Sequence, residues 1–132
     1  MKIEVSVTKE QIPRPFPLPF LDAVSCGTGA LAEFTGIVRD QEDGEAIQGL
    51  LYELYETMAL REMRRLLEEL ALLYPCQAAV VCHRYGFIPV GETAISIAIL
   101  AKHRKEAFAL LSAFMDRLKS EVPIWKVQAV TR

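Results

Sequence analysis

Between Ile47 and Val130 the spacing of apolar residues changes from strand-like to helix-like and back, and the order of those changes restricts the fold more than any other feature. Ile47 to Tyr55 reads as a strand. Met63, Leu66, Leu67, Leu70 and Leu73 then fall on one stripe at the helical period, so a helix runs from Thr57, a hydroxyl residue suited to an N-cap, to Tyr74 just before Pro75. Ala78 to Tyr85 and Thr93 to Ala101 are runs rich in Val and Ile that read as strands, joined through Gly86 to Gly91. Ala107, Leu111, Phe114, Leu118 and Val122 mark a second helix over Arg104 to Val122, and Ile124 to Val130 is a closing strand after Pro123. Strand, helix, strand, strand, helix, strand is the split βαβ pattern: an α/β (α+β) fold in which two helices pack on a mostly antiparallel sheet.

Extra strands precede this core. Met1 to Val7 alternates polar and apolar residues, which reads as a strand and not a signal peptide. The alternating prolines of Pro13 to Pro19 remove backbone donors and favour an extended surface linker. Gly29 then opens a strand through Ala30 to Arg39, which leads into a polar turn over Asp40 to Glu45 and leaves Arg39 at a strand end, a usual place for a binding residue. The 132 residues suffice for one domain with a single core, and no internal repeat or second domain is visible. A hydrophobic content of 52% is high for so short a chain, so part of it is expected to lie in a subunit interface.

Several function classes fall away. A net charge of -2 argues against broad nucleic-acid binding, and no segment is apolar enough over sufficient length to span a bilayer. Cys26, Cys76 and Cys82 form no C-x-x-C pair and cannot all be joined within the chain, which fits a reducing cytoplasm. Cys82-His83 reads as a strand end and not as half of a metal site; neither a metal nor a cofactor is expected. Nucleotide-loop, nucleophile-elbow and zinc-protease motifs are absent from the sequence.

What remains is a basic set. Lys102, His103, Arg104 and Lys105 crowd the start of the second helix, where partial positive charge normally attracts acidic residues. A bound phosphate or carboxylate would relieve that conflict; a solvated basic face is the other reading. Lys119 sits four residues after Met115 and beside Leu118, at the edge of the apolar stripe, where partial desolvation would favour a neutral amine able to accept a proton. A side chain merely covering the apolar surface explains the same position. Lys126 follows Trp125 in the closing strand, and alternation sends the two to opposite faces, Trp125 packed and Lys126 free to face a site.

Gly29-Ala30, Phe34-Thr35-Gly36-Ile37-Val38-Arg39, Tyr52-Glu53 with Tyr55, Met58-Ala59, His83-Arg84-Tyr85-Gly86 with Gly91-Glu92, His103-Arg104, Ala107-Phe108, Leu118-Lys119 and Pro123-Ile124-Trp125-Lys126 occur in order along the chain. Together they resemble the large, catalytic subunit of molybdopterin synthase, from Gly29 to Lys126. The resemblance implies sulfur transfer in molybdenum cofactor biosynthesis. A small ubiquitin-like sulfur-carrier subunit presents a thiocarboxylate on its C-terminal Gly-Gly tail, and cyclic pyranopterin monophosphate becomes the molybdopterin dithiolene. It further implies Lys119 and Lys126 as catalytic residues, Arg39, His103 and Arg104 as the substrate-binding anion pocket, Phe34 and Met115 as pocket wall, and a homodimer within a heterotetramer.

The chain departs from that family in ending at Arg132 without a longer tail, in having Gln128 where an acidic residue often stands, and in its proline-rich stretch. A non-catalytic ligand-binding or partner-binding module of the same fold is the alternative, against which the joint presence of Lys119 and Lys126 speaks.

Overall fold

The computed structural model describes residues 1–18 and 27–132; Pro19, at the end of the proline-rich stretch, and Cys26 lie outside the described residues. Its strands are β1 (Lys2–Thr8), β2 (Ala30–Ile37), β3 (Gln41–Glu42), β4 (Glu45–Leu54), β5 (Ala78–Arg84), β6 (Gly86–Pro89), β7 (Thr93–Ala101) and β8 (Ile124–Thr131), with helices α1 (Glu56–Leu73) and α2 (Arg104–Glu121). The expected α/β class holds, and the strands divide between two sheets. The first has the order β1-β5-β7-β2, antiparallel except for the parallel pair β1 and β5. In the second, β4 is flanked by β6 and β8, and β3 folds back on its start as a short hairpin.

The strand beside β5 is therefore β1, while β4, which the order of elements places in the same sheet, belongs to the second. Helix α1 carries the chain from one sheet to the other.

Both helices cover one face of the first sheet. Alternation along the strands sends Ile3 and Val5, Ala79 and Val81, and Ile95, Ile97 and Ile99 toward them, where they meet Met63, Leu66, Leu67 and Leu70 of α1 and Leu110 and Phe114 of α2. Ala79, Ile99, Met63, Leu66, Leu67, Leu110 and Phe114 are essentially inaccessible to solvent. Arg65 and Arg117 cross-link the exposed edges of the helices through Glu69 and Glu121, with Arg117 Nη1 2.9 Å from Glu69 Oε1 and Arg65 Nη2 3.4 Å from Glu121 Oε1.

Three expectations need correction. The N-cap of α1 is Tyr55, not Thr57: Tyr55 is extended at φ -96 and ψ 103, its N–H donates to the Pro123 carbonyl at 3.2 Å, and its own carbonyl accepts from Ala59 at 2.7 Å. The last bond of the β4–β8 region thus holds Tyr55 extended, and the helix starts on the next residue. Gly86 to Gly91 is no simple joint, because Gly86–Pro89 pairs with β4. The proline-rich stretch is not a free linker: Ile12 is buried, Arg14 donates to the Gly91 carbonyl at 2.9 Å, and Phe16 and Leu18 pack on Ala78, Val80, Ala98 and Leu100. Those four residues face away from the helices and need a cover of their own.

Candidate active site

Residues of both sheets and of the C-terminal end of α2 line a cleft of about 530 Å³. The first sheet supplies His83, Ile95, Phe34 and Gly36; β4 and the start of β8 supply Leu50, Tyr52, Trp125 and Lys126; the last turns of α2 supply Met115 and Lys119. Gly36 lies directly across from Ile95 at a register shift in β2, and a Cβ there would sit 2.9 Å from Ile95 Cγ2. Glycine is what lets the cleft reach this row of the sheet.

Arg39 follows β2 and Glu42 ends β3, and both line the same cleft. Lys126 Nζ lies 2.8 Å from Glu42 Oε1. The hydrogen bond from Lys126, with the charges of Lys126 and Arg39 behind it, holds the Glu42 carboxyl below its usual value. Burial pushes the Tyr52 hydroxyl upward, so it stays a neutral phenol beside this charged pair. Among the described residues Lys119 makes no ion pair. It is exposed in the single chain, so the desolvation expected from its position is not supplied by the chain's own packing.

His83 forms part of the floor. Its Nδ1 lies 2.7 Å from the Arg84 carbonyl oxygen, which makes Nδ1 the protonated donor and Nε2 the lone-pair nitrogen. Burial pushes its pKa down and keeps the ring neutral, and Tyr52 meets it in an edge contact at 5.5 Å. Arg84 in turn pairs with Glu92 at 2.6 Å and donates to the Lys9 carbonyl at 3.3 Å, fixing the end of β5 on which His83 stands.

Of the residues singled out from sequence, Arg39, Lys119, Lys126, Phe34 and Met115 come together here. His103 and Arg104 do not. They line a separate hollow with Lys105, Glu106 and Phe108 at the other end of α2, and 18 helical residues span ~27 Å. His103 is 70% exposed, with Nδ1 4.0 Å from Glu106. Trp125 also departs from expectation: it is 38% exposed, tilts against Tyr55 at 5.1 Å and lines the cleft together with Lys126. Reasoning from sequence missed Glu42, Tyr52 and His83 as site residues. The run Asp40-Gln41-Glu42-Asp43-Gly44 reads only as a turn, and the pairing that aims Tyr52 at the cleft is invisible without the register.

Neither described cysteine lines the cleft, and burial pushes the Cys76 thiol up to about 11. Among the described residues no group of His, Cys, Asp or Glu could hold a metal ion. No described helix is long and apolar enough to cross a membrane. The cleft brings two lysines and an arginine together in an α+β protein, side chains suited to pair with an anion.

Comparison with known proteins narrows the class. Residues 17–121 match the family described as MoaE protein. The molybdopterin synthase catalytic subunit of Pyrococcus abyssi is 38% identical over 127 residues, covering 95% of this chain and 84% of that protein. That of Drosophila mojavensis is 43% identical over 103 residues, or 77% of this chain, but the chain spans only 28% of that longer protein. Among solved structures, molybdopterin synthase from Staphylococcus aureus superposes with a TM-score of 0.84 at 28% identity, covering 96% of this chain and 90% of that one. A complex of subunits 1 and 2 of molybdopterin-converting factor from Helicobacter pylori contains the same fold, with a TM-score of 0.70 at 24% identity over 98% of this chain and 88% of that one. The chain belongs to the MoaE family, that of the molybdopterin synthase catalytic subunits.

Proposed function

We propose that this chain is the catalytic subunit of a molybdopterin synthase, a sulfurtransferase that moves sulfur from the thiocarboxylated Gly-Gly terminus of a small ubiquitin-like subunit to cyclic pyranopterin monophosphate. The observation that carries this reading is the meeting of Lys119 and Lys126, from a helix and a strand of different layers, on one cleft that also holds Arg39. A phosphate-bearing substrate and an anionic tail both need cations, and a sulfur supplied by the partner needs no reactive cysteine here.

Lys119, which makes no ion pair among the described residues, stands beside the thiocarboxylate and assists its attack by proton transfer and charge stabilisation. Lys126 and Arg39 bind the substrate and stabilise developing negative charge, while Phe34 and Met115 form the wall. His103 and Arg104 reach a cleft only from a second copy of the chain, so the working unit is a homodimer carrying two small subunits. Exposed apolar side chains on the edge strands β2 and β8, among them Leu31, Ile37 and Val127, suit such contacts. The free thiols of Cys76 and Cys82 suit the cytoplasm as its compartment.

The direct test mixes the protein with a thiocarboxylated small subunit and cyclic pyranopterin monophosphate and looks for molybdopterin. No product from wild-type protein, with both partners shown to be intact, would remove the reading.

A further inference from the structure

We propose that Glu42 is the cleft's own stand-in for its anionic ligand: its carboxylate occupies the Lys126 ammonium until a substrate oxyanion displaces it, so that Glu42 sets how tightly the cleft binds anions. The inference rests on the anion-binding reading above and adds a residue that sets affinity and specificity.

Three observations carry it. First, the occupied position is the one an oxyanion would take, since Glu42 Oε1 lies 2.8 Å from Lys126 Nζ and within the field of Arg39. Second, the pair is accessible: the Glu42 side chain is 20% exposed and that of Lys126 41%, so an incoming anion can reach the ammonium without crossing packed core. Third, Glu42 stands on an arm that is held lightly. β3 pairs with β4 through Gln41 with Ala46 and Glu42 with Glu45, and one more backbone bond, from the Ile47 N–H to the Asp40 carbonyl at 3.0 Å, closes the base of this short hairpin. The turn between, Asp43 at φ 51 and Gly44 at φ 81, is the tight left-handed kind that lets two short strands fold back on each other. Few hydrogen bonds need to change for the carboxylate to leave.

The chemistry is competition between oxyanions. A lysine ammonium has three donors and no fixed fork, so it accepts a carboxylate or a phosphate oxygen alike. Arg39, Lys119 and Lys126 bring three positive charges to the cleft and Glu42 cancels one of them. An exposed site with all three uncompensated would retain abundant small anions of any kind; the built-in carboxylate raises the threshold to ligands that engage more than Lys126.

The test titrates the protein with inorganic phosphate and, separately, with a synthetic peptide ending in a Gly-Gly carboxylate, and follows binding by calorimetry. Glu42→Gln, which keeps size and removes charge, should bind the displacing anion about three- to tenfold more tightly than wild type, as expected for losing one nearby like charge at an accessible site. Glu42→Asp should stay close to wild type, and Lys126→Ala should weaken binding. Tightening toward phosphate alone identifies Glu42 as the stand-in for the substrate's phosphate; tightening toward the peptide alone identifies it with the partner's tail. Unchanged or weaker binding in Glu42→Gln, with circular dichroism unaltered, overturns the proposal while Lys126-dependent binding leaves the anion site standing. Absence of binding to every form, wild type included, overturns both.

Discussion

Lys126 lies directly across from Tyr52 in the β4–β8 pair, and a register shift next to it leaves Val127 without a partner while Gln128 takes Leu51 and Ala129 takes Leu50. Side chains alternate along a strand, so residues three apart, such as Lys126 and Ala129, normally face opposite ways. One extra residue resets the alternation. Lys126 can therefore share the side of Tyr52 while Ala129 packs with the Leu50 and Ile88 cluster, and a single bulge serves both the core of the second sheet and the charge of the cleft.

The Lys126–Glu42 pair adds little to stability. Its two side chains remain partly exposed, and such ion pairs contribute only about 0–1 kcal/mol. Lys126→Ala should leave the thermal midpoint close to wild type and cut molybdopterin formation by tenfold or more, on the scale of about 1.4 kcal/mol per factor of ten. Calorimetry and product analysis on the same preparation check both halves, and a large loss of stability would assign Lys126 to the fold.

His83 predicts a pH dependence with a definite sign. In the unfolded chain the imidazole gains a proton as pH falls through its ordinary value of 6.5, whereas burial keeps the folded ring neutral to lower pH. The unfolded state then binds more protons, so stability is complete above 6.5 and declines as pH falls below it, by at most about 1.4 kcal/mol per pH unit. The carboxyls of Glu42 and Glu121 are held below 4.5 and lose their contribution only at lower pH. His83→Asn should flatten the thermal midpoint between pH 6.5 and 5; an unchanged slope would show that another group causes the decline.

Core and site separate along α2. Phe114 is fully buried between the helix and the first sheet, and Phe114→Ala should cost about 3–5 kcal/mol in denaturant unfolding through lost contacts and the cavity left behind. Its cost should exceed that of any single substitution at Lys119, Lys126 or Arg39, all exposed; a smaller loss would mean that the sheet and α1 close the gap.

Those contrasts mirror what the chain reveals before it folds. α1, α2, β5 and β7 are legible because each carries a long stripe or run whose period admits one reading. β6 is not, since only Phe87 and Ile88 stand between Gly86 and Pro89. Nor is the division into two sheets: periodicity says that β1 and β4 are strands but not which of them lies beside β5, a choice made by packing with everything from β2 to α1 in between. The lysines and Arg39 could be collected by residue type, yet the same reasoning grouped them with His103 and Arg104, which the rigid length of α2 holds away within one chain.

A shared site makes that separation testable. If His103 and Arg104 complete the cleft of a neighbouring copy, an inactive Lys119→Ala chain mixed with an inactive Arg104→Ala chain should regain activity, because a mixed dimer contains one cleft with both residues intact. Scattering at micromolar concentration should give the mass of a dimer. A monomer, or a mixture as inactive as its parts, would leave His103 and Arg104 as a solvated basic face.

Lys119 gives the sharpest division between packing and chemistry. It sits one residue beyond buried Leu118, is itself exposed, and makes no ion pair among the described residues, so nothing in the fold depends on its ammonium. Lys119→Ala should leave unfolding and small-subunit binding close to wild type, since surface substitutions away from caps and networks stay within about 0.5 kcal/mol. Product formation should nevertheless fall about a hundredfold or more, the scale for losing a positioned proton-transfer group. Lys119→Arg should rescue little, because guanidinium keeps its charge at every working pH and cannot accept the proton. Rates measured with saturating thiocarboxylated partner decide the matter: near-normal turnover in Lys119→Ala would reduce this lysine to a cover for the edge of the apolar stripe and leave Lys126 as the remaining catalytic cation.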